Sequence, residues 1–294
     1  MAPPTRVDAS RIDAAFVAAL IRDQFPEWAH LSLRPVRNGG NDHRMFRLGG
    51  ELVVRLPSAP GYVPQVAKEQ EWLPRLGPAL PLPIPALRGI GAATDGFPAP
   101  WSVYGWIDGR PLSVGRVEDE RGIAIALAGF LRALRAADAD GAPAPGPHSA
   151  FRGGPLQHYD DEMQALLDRV HGAERDRAAG LWRDALGAPF TGRPVWFHGD
   201  VAAGNLLVTD GGLAAVIDFG CAGAGDPSCD TVMVWTRFQG RARAAFMAEL
   251  AVDEATWARG RGWAVWKALI MLTNEQRAQR ALARHVLDEL AAGH

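Results

Sequence analysis

The stretch that most constrains this chain is residues 194–230, where the apolar run Val195 to Phe197 breaks into His198-Gly199-Asp200 and reaches Asn205 five residues later. Leu206 to Val208 then reads as a strand, Asp210-Gly211-Gly212 as a tight turn, and Leu213 to Ile217 as the returning strand, with Asp218-Phe219-Gly220 directly behind it. A ribbon folded in this way carries Asp218 back to the end of the sheet where Asp200 and Asn205 lie. Two carboxylates and one amide oxygen then gather with no basic side chain between them in sequence. Such a group repels itself unless a cation or a proton-bearing substrate joins it. Asp and Asn oxygens are hard ligands that suit Mg²⁺, an ion that takes few protein ligands and completes its shell with phosphates and water. The spacing therefore suits Asn205 and Asp218 for holding Mg²⁺ on a nucleotide, and Asp200 for orienting a substrate hydroxyl toward the γ-phosphate. Taken singly, each is an ordinary turn residue. The ordered set, with strands between its members, is what points to phosphoryl transfer.

His198-Gly199-Asp200-x-x-x-x-Asn205 followed by Ile217-Asp218-Phe219-Gly220 resembles the aminoglycoside phosphotransferase family, relatives of the choline and protein kinases. Asp226 and Asp230 match the acidic residues that follow the metal-binding Asp in that family. The resemblance implies an α+β, bilobal protein-kinase-like fold, with a small N-lobe built on an antiparallel sheet and a larger, mostly helical C-lobe. Residues 1–107 form the nucleotide-binding lobe with its hinge strand in this reading, and residues 108–294 form the catalytic and acceptor-binding lobe. The cofactors implied are Mg²⁺ and ATP or GTP as phosphate donor. The implied partner is a hydroxylated small molecule, foremost an aminoglycoside-like antibiotic. A metabolic kinase for choline, a sugar or homoserine is the alternative on the same fold, and a nucleotide-binding module without catalysis is a third reading.

The first half of the chain carries the donor side. Asp8 to Gln24 reads as a helix capped by Ser10, and Leu31 to Val36 as a strand. Asn38-Gly39-Gly40-Asn41-Asp42-His43 precedes an alternating strand at Met45 to Leu48, a turn at Gly49-Gly50 and a strand at Leu52 to Leu56. A glycine-rich hairpin can lay backbone N–H groups over phosphates, which makes Gly39, Gly40 and Asn41 nucleotide-binding candidates. His43 reads as a solvated loop residue. Arg55 stands where the family has a lysine that grips the α- and β-phosphates; guanidinium is always charged and binds phosphate in a bidentate way, so the role can survive the exchange. This departure is also the one feature favouring the non-catalytic module. Val63 to Leu76 reads as a helix on which Glu69 matches the family's partner for that strand cation, with Glu71 as competitor on another face. Leu87 to Gly91 and Trp101 to Ile107 read as strands, and the resemblance puts the backbone of Gly105 and Ile107 against the base edge.

The second half reads as helices near Glu118 to Ala137, His158 to Val170 and Ala173 to Leu186, then after the motif Cys229 to Phe238, Ala242 to Leu250, Asp253 to Leu272 and Glu275 to Ala292. Asp160, Glu162 and Glu275 are candidates for an acidic acceptor rim, against the plainer reading of solvated charges. His198 and Asp230 read as supports for the loop around Asp200. A serine hydrolase is unsupported, because no Gly-x-Ser-x-Gly elbow occurs. Net charge is −2 and pI about 6.5, so no electrostatic signature announces nucleic acid or an anionic membrane. The cysteines, Cys221 and Cys229, form no disulfide framework, and no Lys/Arg-flanked apolar stretch opens the chain; a reducing, cytoplasmic setting is expected.

Overall fold

The computed structural model describes residues 7–36 and 42–292, so the expected phosphate-covering residues Gly39, Gly40 and Asn41 lie outside the described residues. The chain divides into two compact units: the first runs to Gly109 and includes Ala215–Gly220, and the second comprises Arg110–Ala214 and Cys221–His294. The class is the expected mixture of sheet and helix.

The first unit is built on an antiparallel sheet of β1 (Leu33–Pro35), β2 (His43–Leu48), β3 (Leu52–Pro57), β4 (Leu87–Gly91) and β5 (Trp101–Gly105), in spatial order β1-β2-β3-β5-β4. β3 is therefore central and nearly all of it is buried. Strand alternation sends Val54 and Leu56 into a cluster with Phe46, Leu48, Trp101 and Val103, against Val17, Leu20 and Ile21 of α1 (Ala14–Gln24). The same alternation turns Arg55 to the opposite face. There it meets α2 (Val63–Leu76), which follows the bounds read from its apolar spacing and buries Val66, Leu73 and Leu76 along with Glu69. The first helix is shorter than expected. Asp13, not Ser10, caps it, accepting from the Phe16 N–H at 2.8 Å, while Asp8 closes a separate single turn at Ala9–Arg11. Two short acidic side chains each satisfy a free backbone donor, and the second one sets the helix start.

The second unit starts with β6 (Arg110–Pro111) and the long helix α3 (Glu120–Ala136), capped by Asp119. α4 (Asp160–Leu167) and α5 (Gly172–Leu186) follow, then β7 (Val195–Phe197), β8 (Leu206–Thr209), β9 (Gly212–Val216) and β10 (Gly223–Gly225). β6, β8 and β9 form one small sheet, β7 and β10 another, and the division between units falls within β9. The helix expected over 229–238 is instead a single turn at Pro227–Thr231 and the four-residue α6 (Met233–Thr236), because Asp226 caps at Ser228 and starts a tighter turn first. α7 (Gly240–Leu250) packs on α3, and α8 (Glu254–Leu272) packs on α5 and on α9 (Arg277–Ala291). Trp235, Trp257, Trp263 and Trp266 are buried in this unit. Among the described residues, no helix is long and apolar enough to cross a membrane.

Candidate active site

Within the first unit, Arg55 joins two acidic groups. Its Nη1 donates to both carboxylate oxygens of Glu69 at 2.8 Å, and its Nη2 donates to Asp218 at 2.5 Å. Burial works against the charged guanidinium, but Glu69 and then Asp218 outweigh it and push its pKa up. Burial raises the Glu69 carboxyl, with Arg55 pulling against it, and the Tyr104 hydroxyl donates to Glu69 at 3.3 Å. The competitor Glu71 pairs instead with Arg75 at 3.3 Å, both well exposed. Asp218 has φ +68°, a left-handed conformation that Asp tolerates better than most residues, so the chain turns sharply as it leaves β9. Two residues on, the Gly220 carbonyl accepts from the buried Lys68 ammonium at 2.6 Å. Gly105 donates its N–H to Ala86, while the Ile107 backbone makes no hydrogen bond among the described residues.

Within the second unit, Asp200 sits on a loop fixed from beneath by Asp230. Both oxygens of this fully buried carboxylate accept at 2.8 Å, one from the His198 N–H and one from the Gly199 N–H. Gly199 has φ +82°, and a Cβ there would lie 2.5 Å from the Cys221 carbonyl oxygen, so the turn admits little else. The Asp200 N–H donates to His198 Nδ1 at 3.3 Å. Asn205 reaches back with its amide N–H groups, at 2.9 Å to the Asp200 carbonyl and 3.0 Å to its Oδ2. Lys267 of α8 donates to the other carboxylate oxygen, Oδ1, at 3.2 Å. Burial would raise the Asp200 carboxyl, but Lys267, then His198 and Arg152, pull it below the ordinary carboxylate range.

Lys267 and Arg152 are not among the candidate site residues named from the sequence. The only available hint was rarity, since Lys68 and Lys267 are the two lysines of the chain. Arg152 lies over the rings of Trp266, Trp263 and Tyr159 at 4.5, 5.2 and 5.7 Å, and donates to the Tyr159 hydroxyl at 3.2 Å. The acidic-rim candidates are engaged unequally. Asp160 accepts from the Trp182 indole at 2.7 Å, Glu162 accepts from the Trp266 indole at 3.0 Å, and the exposed Glu275 accepts from Arg280 through its backbone carbonyl. Asp226 forms a buried pair with Arg259 at 2.7 Å, another partner with no sequence signal. His43 departs from the solvated-loop expectation: it opens β2 and is 3% exposed. Burial, then the Arg55 charge, lowers its pKa to about 2.

Residues 32–263 match the sequence model of a family described as "Phosphotransferase enzyme family". The GDP complex of wild-type aminoglycoside 2′-phosphotransferase-IIIa is similar in fold, with a TM-score of 0.75 at 18% identity over 96% of this chain and 100% of that one. The GDP and kanamycin complex of APH(2″)-IIia gives 0.74 at 19% identity over 95% and 99%. A macrolide 2′-phosphotransferase from Brachybacterium faecium gives 0.62 at 21% identity over 94% and 98%. No curated protein sequence matches the chain.

Proposed function

The chain belongs to the phosphotransferase enzyme family, and from that premise we propose that it moves the γ-phosphate of ATP or GTP to a hydroxyl of a small molecule, with an antibiotic of the aminoglycoside kind as acceptor. The observation that carries this reading is the setting of Asp200: oriented by Asn205, paired with Lys267 and mounted on a loop pinned by a buried carboxylate. A carboxylate so held accepts a hydrogen bond from an acceptor hydroxyl and fixes its line of attack. Residues 1–107 supply the donor side in this proposal, and residues 108–294 the catalytic and acceptor side. Arg55, held by Glu69, takes the phosphate-gripping role, Gly39, Gly40 and Asn41 cover the phosphates, and the backbone of Gly105 and Ile107 faces the base. His198 and Asp230 support the loop.

The donor chemistry fits Mg²⁺. Among the described residues no group of three or more His, Cys, Asp or Glu side chains that could hold a metal ion is present. Asp218 is 38% exposed in its side chain, and Asn205 directs its N–H groups to Asp200 and leaves its amide oxygen for another ligand. With Asp218 and Asn205 as its protein ligands in this proposal, Mg²⁺ would neutralise phosphate charge. Glu69 anchors the Arg55 guanidinium, and Lys68 holds the chain behind Asp218 in place.

One observation favours a second reading. Lys267 donates to Asp200 and the Arg152 charge also acts on it, which disfavours a polycation and favours a metabolite hydroxyl on a neutral or anionic molecule. Asp160, Glu162 and Glu275 are the acceptor-side acids that argue the other way. A panel of antibiotics and metabolites, screened for nucleotide-dependent mass gain of one phosphate, separates the two. Asp200→Ala should lower kcat about 10²–10⁴-fold with the circular-dichroism spectrum unchanged. Turnover equal to wild type would remove Asp200 from the chemistry.

A further inference from the structure

His43 is alone among the described residues in leaving two buried side-chain nitrogens, Nδ1 and Nε2, without a hydrogen-bond partner. A buried ring with both nitrogens unsatisfied is costly, and an apolar ring of similar size would avoid the penalty. Its place on the sheet is specific. His43 lies opposite Pro57, and Met45 lies opposite Arg55. Strand alternation therefore puts His43 and Arg55 on the same face as diagonal neighbours, the face turned away from Phe46 and Leu48 in the core. Burial, and after it the Arg55 charge, opposes protonation of the imidazole. A neutral imidazole is always a donor at one nitrogen and an acceptor at the other.

We propose that His43 is a nucleotide-binding residue, donating a ring N–H to a phosphate oxygen of the nucleotide beside Arg55. It adds a directional donor without adding charge, next to a guanidinium already divided between Glu69 and Asp218. The phosphate would satisfy the protonated one of the two ring nitrogens that the protein leaves open. The inference rests on the nucleotide reading given above.

The test compares wild type, His43→Phe and His43→Gln, the last of which retains a donor. Calorimetry measures binding of ATP and GTP with Mg²⁺, and urea unfolding measures stability without nucleotide. His43→Phe should unfold at higher urea yet bind nucleotide roughly 10- to 100-fold more weakly, the worth of a hydrogen bond to a charged group. His43→Gln should recover most of the affinity, and in His43→Phe the rise in nucleotide KM should exceed any fall in kcat. His43→Phe binding as tightly as wild type overturns the proposal. If the phenylalanine variant does not fold, the nitrogen-15 shifts of the wild-type His43 ring decide: movement on adding nucleotide supports the contact, and an unmoved ring overturns it. Wild type that binds neither nucleotide overturns the kinase reading and this contact with it, whereas wild type that binds beside an unimpaired His43→Phe overturns this contact alone.

Discussion

Lys267 opposes the effect of burial on the Asp200 carboxyl and holds its pKa down, which gives its effect on pH a definite direction. Asp200 is held below the ordinary carboxylate range, so the ion pair's stabilisation is present above the unfolded carboxyl's value and is lost as pH falls through the folded one. Lys267→Met removes the nearest cation and lets the carboxyl rise. The acid limb of kcat/KM should then move to higher pH in the variant, since that limb reports the free enzyme's essential base. A limb that stays in place would show that some group other than Asp200 sets it. Glu69 and Glu71 allow a second comparison at this scale. Glu69 is 2% exposed and holds the buried Arg55, whereas the Glu71–Arg75 pair lies in solvent. Glu69→Ala should cost about 3–5 kcal/mol in urea unfolding, because it strands a buried charge. Glu71→Ala should stay within about 0.5 kcal/mol. Equal losses would mean that the Arg55–Glu69 pair contributes no more than a surface contact.

At the scale of elements, the short turn at Pro227–Thr231 shows how a loop is locked. Asp226 caps it and pairs with Arg259 of α8, with both side chains at least nine-tenths buried. Asp230, on the same turn, holds the His198 and Gly199 amides. Arg259→Met should destabilise the protein by about 3–5 kcal/mol and lower activity through the loop, read as a loss of unfolding free energy together with a fall in kcat. Unchanged stability would remove the pair from the loop's support. The same region shows what a sequence can disclose. α2 is legible because its apolar spacing and the following Gly77 mark both its face and its end. The motif residues are legible because they share one segment, where spacing survives as a signal. Lys267, Arg152 and Arg259 come from distant segments, and no local pattern tells a cation that will meet a carboxylate from one that will face water. His43 misleads for a related reason. A polar residue after a glycine-rich turn reads as solvated, and only the register of β2 on β3 shows which face it takes.

For the whole molecule, each of the two compact units has its own core, so unfolding need not be a single transition. This makes the nucleotide a probe of where the donor binds. A ligand that binds only the folded state stabilises it by about 2.7 kcal/mol at a hundred times its Kd, enough to raise a domain's melting point by several degrees, at about 2–8 °C per kcal/mol depending on size. Arg55, Glu69 and Asp218 all belong to the first unit. ATP or GTP with Mg²⁺ should therefore raise the transition assigned to that unit in a calorimetric scan. Asp218→Asn should keep the shift given by nucleotide alone and lose the additional shift given by Mg²⁺, since an amide is the poorer ligand for a hard cation. The variant also releases Arg55 from one of its two acidic partners, so the guanidinium is freer for phosphate and nucleotide alone should bind at least as well as in wild type. An Asp218→Asn protein that retains the full Mg²⁺-dependent shift would take the metal away from Asp218. A wild-type scan that ignores both nucleotides would leave Arg55, Glu69 and Asp218 as a structural ion-pair network.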